Sequence, residues 1–194
     1  MKNGGGEQPP PLTHTMTPSR AIFLTGFMGA GKTTVGAALA RRMGCAFHDL
    51  DAVIVERAGQ SVAQIFETSG EAGFRRLESE ALTALLEQVG SAPVVVALGG
   101  GTLEAPRNLG AVRERGVLVA LEAPVEALFA RTRSNAGSRP LAADETGFRN
   151  LYARRRALYL AADVLVDSST GDVEQVAARA QDSIEAVVGD RRKK

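Results

Sequence analysis

Eight residues near the start of the chain, Gly26-Phe27-Met28-Gly29-Ala30-Gly31-Lys32-Thr33, limit the folds open to it more than any other feature. They meet the pattern G-x-x-x-x-G-K-[ST] at every position. The apolar run AIFLT precedes them, and a helical pattern from about Lys32 to Met43 follows. A loop of this kind has a use only between a buried strand and a helix N-terminus. There its successive N–H groups converge on phosphate oxygens, and the helix dipole favours negative charge. Lys32 adds a positive charge near β- and γ-phosphates, and the Thr33 hydroxyl can ligate Mg²⁺. Gly29, Ala30, Gly31, Lys32, Thr33 and Thr34 are therefore the expected binding residues for a nucleoside triphosphate.

The rest of the chain extends the same architecture. AFHDL (46–50), PVVVAL (93–98), VLVAL (117–121) and DVLVD (163–167) read as further strands, with helical patterns between them. The unbroken apolar run at 94–98 suits a strand buried on both faces of a parallel sheet. Residues 52–68 suggest two short helices broken near Gly59-Gln60-Ser61, where Ser61 can cap the second. A longer helix follows over roughly residues 71–88. Five strands alternating with helices predict an α/β three-layer sandwich with a five-stranded parallel sheet.

Composition removes several function classes. The net charge is +1, so no global field draws the chain to nucleic acid or to a membrane surface. No apolar run approaches the ~18 residues of a membrane span. Cys45 is the only cysteine, which rules out an internal disulfide and points to a reducing, cytoplasmic setting. Residues 1–19 are rich in Gly and Pro and lack the apolar centre of a secretory signal, so a disordered tail is expected.

P-loop proteins include GTPase switches as well as kinases. The buried strand at 94–98 is not followed by the acid of D-x-x-G, and no N-K-x-D occurs. A polar excursion at about 132–145 suits the lid of a small-molecule kinase instead. The domain reading is a P-loop kinase domain over 20–190 with that lid, and a basic tail at 191–194. Residues 131–156 hold seven arginines. Without interleaved aromatic side chains they are not a nucleic-acid platform.

Three further groups carry chemistry. Asp49 and Asp51 close the second strand as D-L-D; strand alternation would aim both carboxylates into one cleft, for Mg²⁺ and for a hydroxyl proton. Arg75 and Glu78 are helical neighbours, and a carboxylate that orients a guanidinium makes a rigid fork for an anion. Gly99, Gly100 and Gly101 end the third strand, although one glycine is enough for a turn. Something must approach that backbone closely.

Together GFMGAGKT, DLD, FRRLE, VVVALGGGT, RTRSNAGSRPL and RRRALY resemble the shikimate kinase family across roughly residues 20–170. The resemblance implies Mg²⁺-dependent transfer of the ATP γ-phosphoryl group to the 3-hydroxyl of shikimate, with Lys32, Asp51 and Arg139 catalytic. It further implies that Asp51, Arg75, Gly99, Gly100, Gly101 and Arg155 meet shikimate, and that Thr33 and Asp49 serve the metal. Arg131 would lie beside adenine, and Arg139 in the lid would reach the phosphates. The Arg-to-Tyr159 spacing selects Arg155 from Arg154-Arg155-Arg156. The proline that the family often sets against adenine is absent from Ser168-Ser169-Thr170-Gly171-Asp172. A monomer acting on ATP and shikimate, without nucleic acid or membrane, is expected. The rival readings are another small-molecule kinase, such as a gluconate kinase, and a non-catalytic nucleotide-binding protein.

Overall fold

The computed structural model describes residues 20–134 and 144–191. The expected tail at 1–19, the centre of the expected lid and residues 192–194 lie outside these. Five parallel strands form one sheet in the order β2-β3-β1-β4-β5. They are β1 Ala21–Thr25, β2 Ala46–Asp49, β3 Val94–Ala97, β4 Gly116–Glu122 and β5 Val164–Asp167. The helices are α1 Lys32–Met43, α2 Leu50–Ala58, α3 Val62–Val89, α4 Pro106–Arg115, α5 Val125–Ser134, α6 Glu145–Leu160 and α7 Val173–Arg191.

Strand alternation produces two cores. Ile22 and Leu24 of β1 enter one with Leu39 of α1, Phe148 of α6 and Ala177 of α7. Ala21 and Phe23 enter the other with Ile54 of α2, Leu82 of α3 and Val112 of α4. With helices on both faces this is the three-layer sandwich, and β1, at the centre of the sheet, delivers the P-loop from the best buried position. α3 starts with the cap predicted from Ser61, whose Oγ accepts the Gln64 N–H while Gln64 Oε1 accepts the Ser61 N–H at 2.8 Å. Gly70, at φ 64°, interrupts α3 and accounts for the helical pattern restarting near residue 71.

The second strand is shorter than its sequence suggests. It ends at Asp49, and Leu50 already belongs to α2, so the strand alternation expected of D-L-D does not exist. The cause is a capping side chain: Asp49 Oδ1 accepts the N–H of Asp51 at 3.0 Å and that of Ala52 at 3.4 Å. A capped helix start satisfies donors that a longer strand would leave open.

Where β4 begins, Gly116 pairs with Ala21 of β1. A Cβ on Gly116 would lie 2.8 Å from Ala21 C and also from Phe23 Cε2, and would overlap the Ala21 carbonyl oxygen. Neither a strand backbone nor a packed ring yields cheaply. Gly116→Ala is expected to lower stability by about 3 kcal/mol and Tm by about 6–12 °C. An unchanged melting curve would show that β1 and β4 can part without cost.

Candidate functional site

The P-loop joins β1 to α1. Gly29 and Gly31 adopt φ of 84° and 91°, which a residue with Cβ adopts only under strain. A Cβ on Gly29 would also lie 2.6 Å from Leu128 O. Gly31 caps α1 without a side chain, which leaves the first N–H groups of that helix to a ligand. Lys32 Nζ donates to Gly26 O at 2.8 Å and to Phe27 O at 3.2 Å, so the ammonium lies across its own loop. Ala30 is buried, whereas Thr33 and Thr34 are exposed.

Thr33 Oγ1 donates to Asp49 Oδ2 at 2.6 Å. The P-loop hydroxyl and the acid capping α2 thus meet at one point. Asp51 is separate from them, in the first turn of α2, and its Oδ1 lies 3.2 Å from where a Cβ on Gly99 would stand. The two acids therefore face different neighbours.

The glycine run is crowded by polar side chains. A Cβ on Gly99 would lie 2.7 Å from Glu78 Oε1 and 3.0 Å from Thr102 Oγ1. A Cβ on Gly101 would overlap Arg75 Nη2 and lie 2.7 Å from Arg155 Nη2. These two glycines let two guanidiniums and two carboxylates close in on the end of β3. Gly100 differs: its nearest neighbours would be Arg155 Nη1 and Tyr159 Oη at 3.8 Å and Gly26 O at 3.9 Å, ordinary contacts. A Cβ would therefore fit at Gly100, in ordinary contact with Arg155, Tyr159 and the P-loop carbonyl that holds Lys32.

Each group of this cluster has a physical support. Glu78, 1 % exposed, accepts from Arg75 Nη1 at 2.9 Å and from Thr102 Oγ1 at 2.6 Å. Burial alone would lower the Arg75 pKa, but the hydrogen bond and charge of Glu78, with Glu71 and Glu104 beyond, raise it above the usual arginine value. Tyr159 Oη donates to Gly100 O at 2.6 Å, and burial pushes the phenol pKa well up, so it remains a donor. Of the three adjacent arginines only Arg155 is buried, on the same face of α6 as Phe148 and Tyr159. Arg154 and Arg156 are exposed, and Arg156 lines a separate cleft with Tyr152 and Asp167. Arg155 Nε donates to Glu104 Oε1 in an ion pair.

Arg131 Nη2 donates to Ser168 O at 2.9 Å, which ties α5 to the loop after β5. Arg179 Nη2 holds the same loop through Asp167 O at 2.9 Å and Thr170 O at 2.6 Å. Two cations thus shape the segment that lacks the expected proline. Arg139 lies outside the described residues. Sequence reasoning missed Glu104, Thr102 and Arg179. None of the three carried a local signal of its partner.

Comparison with known proteins identifies the family. The sequence profile of the family described as shikimate kinase matches residues 28–185. A shikimate kinase of Geobacter sulfurreducens is 45 % identical over 159 residues, covering 81 % of this chain and 86 % of its own. The structure of a shikimate kinase from Acinetobacter baumannii in complex with shikimate superposes with a TM-score of 0.78 at 33 % identity, covering 89 % of this chain and 98 % of its own. A gluconokinase from Sinorhizobium meliloti superposes at 0.62 with 18 % identity, covering 90 % and 96 %, a likeness of fold alone.

Proposed function

This chain belongs to the shikimate kinase family, and we propose that it transfers the ATP γ-phosphoryl group to the 3-hydroxyl of shikimate, releasing ADP and shikimate 3-phosphate. The observation that carries the reading is the pair of guanidiniums, Arg75 and Arg155, set against Gly101 beside the P-loop. A ring acid held there by its carboxylate would lie over Gly100, with its hydroxyls toward Asp51 and the phosphates. Phosphoryl transfer asks little covalent chemistry of a protein, so positioning and charge stabilisation supply most of the rate.

The proposed roles rest on this arrangement and, for Arg139, on the family resemblance. The P-loop N–H groups of Gly29, Ala30 and Gly31 and the first turn of α1 cradle phosphate, with Thr34 beside them. Lys32 turns from its two carbonyl partners toward the β- and γ-oxygens. Asp51 accepts the proton of the attacking hydroxyl. Arg75, steadied by Glu78, and Arg155 grip the carboxylate, while Gly99 and Gly101 let those side chains close in and Gly100 offers bare backbone to the ring. Arg131, fixed to Ser168 O, flanks the adenine; Arg139, outside the described residues, is assigned to the phosphates by the family resemblance.

Mg²⁺ fits Thr33 and Asp49. The hard cation is bound in kinases by one or two protein oxygens plus substrate phosphates rather than by an all-protein cage. The 2.6 Å contact between Thr33 Oγ1 and Asp49 Oδ2 supplies that oxygen pair. When bound, the ion neutralises charge on the β- and γ-oxygens. A lone thiol at Cys45, its pKa raised by burial, suits the cytoplasm.

The test is ADP release with shikimate, gluconate and nucleoside monophosphates, together with shikimate methyl ester. Shikimate alone should be turned over efficiently. The ester keeps the ring and the hydroxyls but loses the charge, so kcat/KM should fall by about 10²-fold, and Arg155→Leu should erase most of that difference by weakening shikimate. Equal values for acid and ester in the unaltered protein would sink the carboxylate clamp. Turnover of gluconate instead would replace the substrate assignment, and ADP release with none of them would favour a binding protein.

A further inference from the structure

We infer that Glu104 is a positioning residue that sets the substrate-facing orientation of Arg155, an inference that rests on the proposed reaction. Arg155 reaches the site from α6, and its side chain is 9 % exposed against 34 % for Glu104. Its Nε edge donates to Glu104 Oε1. Its Nη2 lies 2.7 Å, and its Nη1 3.8 Å, from the points where Cβ atoms on Gly101 and Gly100 would stand. One edge of the guanidinium is thus bound to a carboxylate of the protein, and the other end is presented over the glycine run.

The need for such a residue is electrostatic. Arg75 Nη2 and Arg155 Nη2 crowd the same point beside Gly101, and two like charges in a half-buried cleft repel. Arg75 has Glu78 and Glu71 as partners. Among the described residues, Glu104 is the ion-pair partner of Arg155. Without it the guanidinium would leave the cleft for water before substrate arrived, and binding would have to recover that loss.

Local structure joins Glu104 to the glycine run. It closes the single 3₁₀ turn Thr102–Glu104, and its N–H donates to Gly101 O at 3.0 Å. The turn is itself anchored: Asn108 Nδ2 donates to Thr102 O at 3.0 Å, and Thr102 Oγ1 donates to Glu78. The two carboxylates that orient the two arginines are therefore linked through one turn. The alternative is that Glu104 competes with substrate for Arg155. A competitor would hold the Nη groups; Glu104 is bound at Nε, which leaves the end-on Nη pair for a substrate carboxylate.

The sign of a KM change separates these readings. Glu104→Ala should raise the KM for shikimate about tenfold or more, with kcat changed less than about threefold, and should narrow the gap between acid and methyl ester. Glu104→Gln should recover much of the loss, because its amide oxygen still accepts from Nε. A merely structural role would lower Tm without this split. If the alanine variant folds poorly, Glu104→Leu, which keeps the bulk but removes the acceptor, decides through its KM and its acid-to-ester ratio. An unchanged or lowered KM in a folded alanine or leucine variant overturns the inference while normal shikimate turnover by the unaltered chain upholds the function. No turnover of shikimate by the unaltered chain overturns both.

Discussion

Lys32→Ala is expected to reduce kcat by about 10³-fold or more while the protein still folds. The ammonium is a preorganised charge aimed at the group whose charge is redistributed in the transition state, and such groups carry about 10³–10⁵ in phosphoryl transfer. Lys32 Nζ donates to Gly26 O and Phe27 O. Removing it leaves two loop carbonyls short of a donor, at a cost of about 1 kcal/mol. Both cores are made without it, so the melting curve should move little. The loss should appear in kcat at saturating Mg·ATP rather than in KM for shikimate, since the acceptor is gripped by other residues. A variant with kcat within tenfold of normal would show that the loop amides alone carry the charge.

Most of the fold could be read before any coordinates. A complete P-loop demands a strand and a helix, and apolar runs of strand length do not fit helices that must show one face to water. The inward turn of Arg155 was also legible: Phe148, Arg155 and Tyr159 lie seven and four positions apart on α6, one face of a 3.6-residue period. D-L-D was misread because two periods compete there. Asp49 and Asp51 satisfy strand alternation, whereas Leu50 and Ile54 satisfy helical spacing, and the capping bonds of Asp49 decide for the helix.

Glu104 was hidden for another reason. Its partner Arg155 is fifty-one positions away, and no local pattern records an ion pair made across the cleft. The purpose of three glycines was only partly legible. A close approach could be inferred, but the side chains pressing on Gly99 and Gly101 arrive from α2, α3, α6 and the turn after β3. Such convergence exists only once the sheet has assembled.

The separation of the two acids yields the most discriminating measurement. Asp51→Asn is expected to reduce kcat by about 10²–10⁴-fold, the usual cost of losing a proton acceptor. Asparagine has nearly the shape of aspartate, so the loss would be one of charge and basicity beside Gly99. Added Mg²⁺ should not restore it. Asp49→Asn should behave differently, because Asp49 has two tasks. As the cap of α2 it accepts N–H groups from Asp51 and Ala52, and asparagine caps a helix as well as aspartate does. Asp49→Asn should therefore keep the fold, whereas Asp49→Ala should lose about 1 kcal/mol. Toward Thr33 the carboxylate supplies charge that the amide lacks. The asparagine variant should need more Mg²⁺ for half-maximal rate and recover most of its kcat when the ion is raised. Titrating Mg²⁺ against kcat for both variants, with melting curves alongside, reads all of this. Equal losses that both yield to Mg²⁺ would make the two acids a joint metal site, and Asp51 would no longer be the residue that takes the hydroxyl proton.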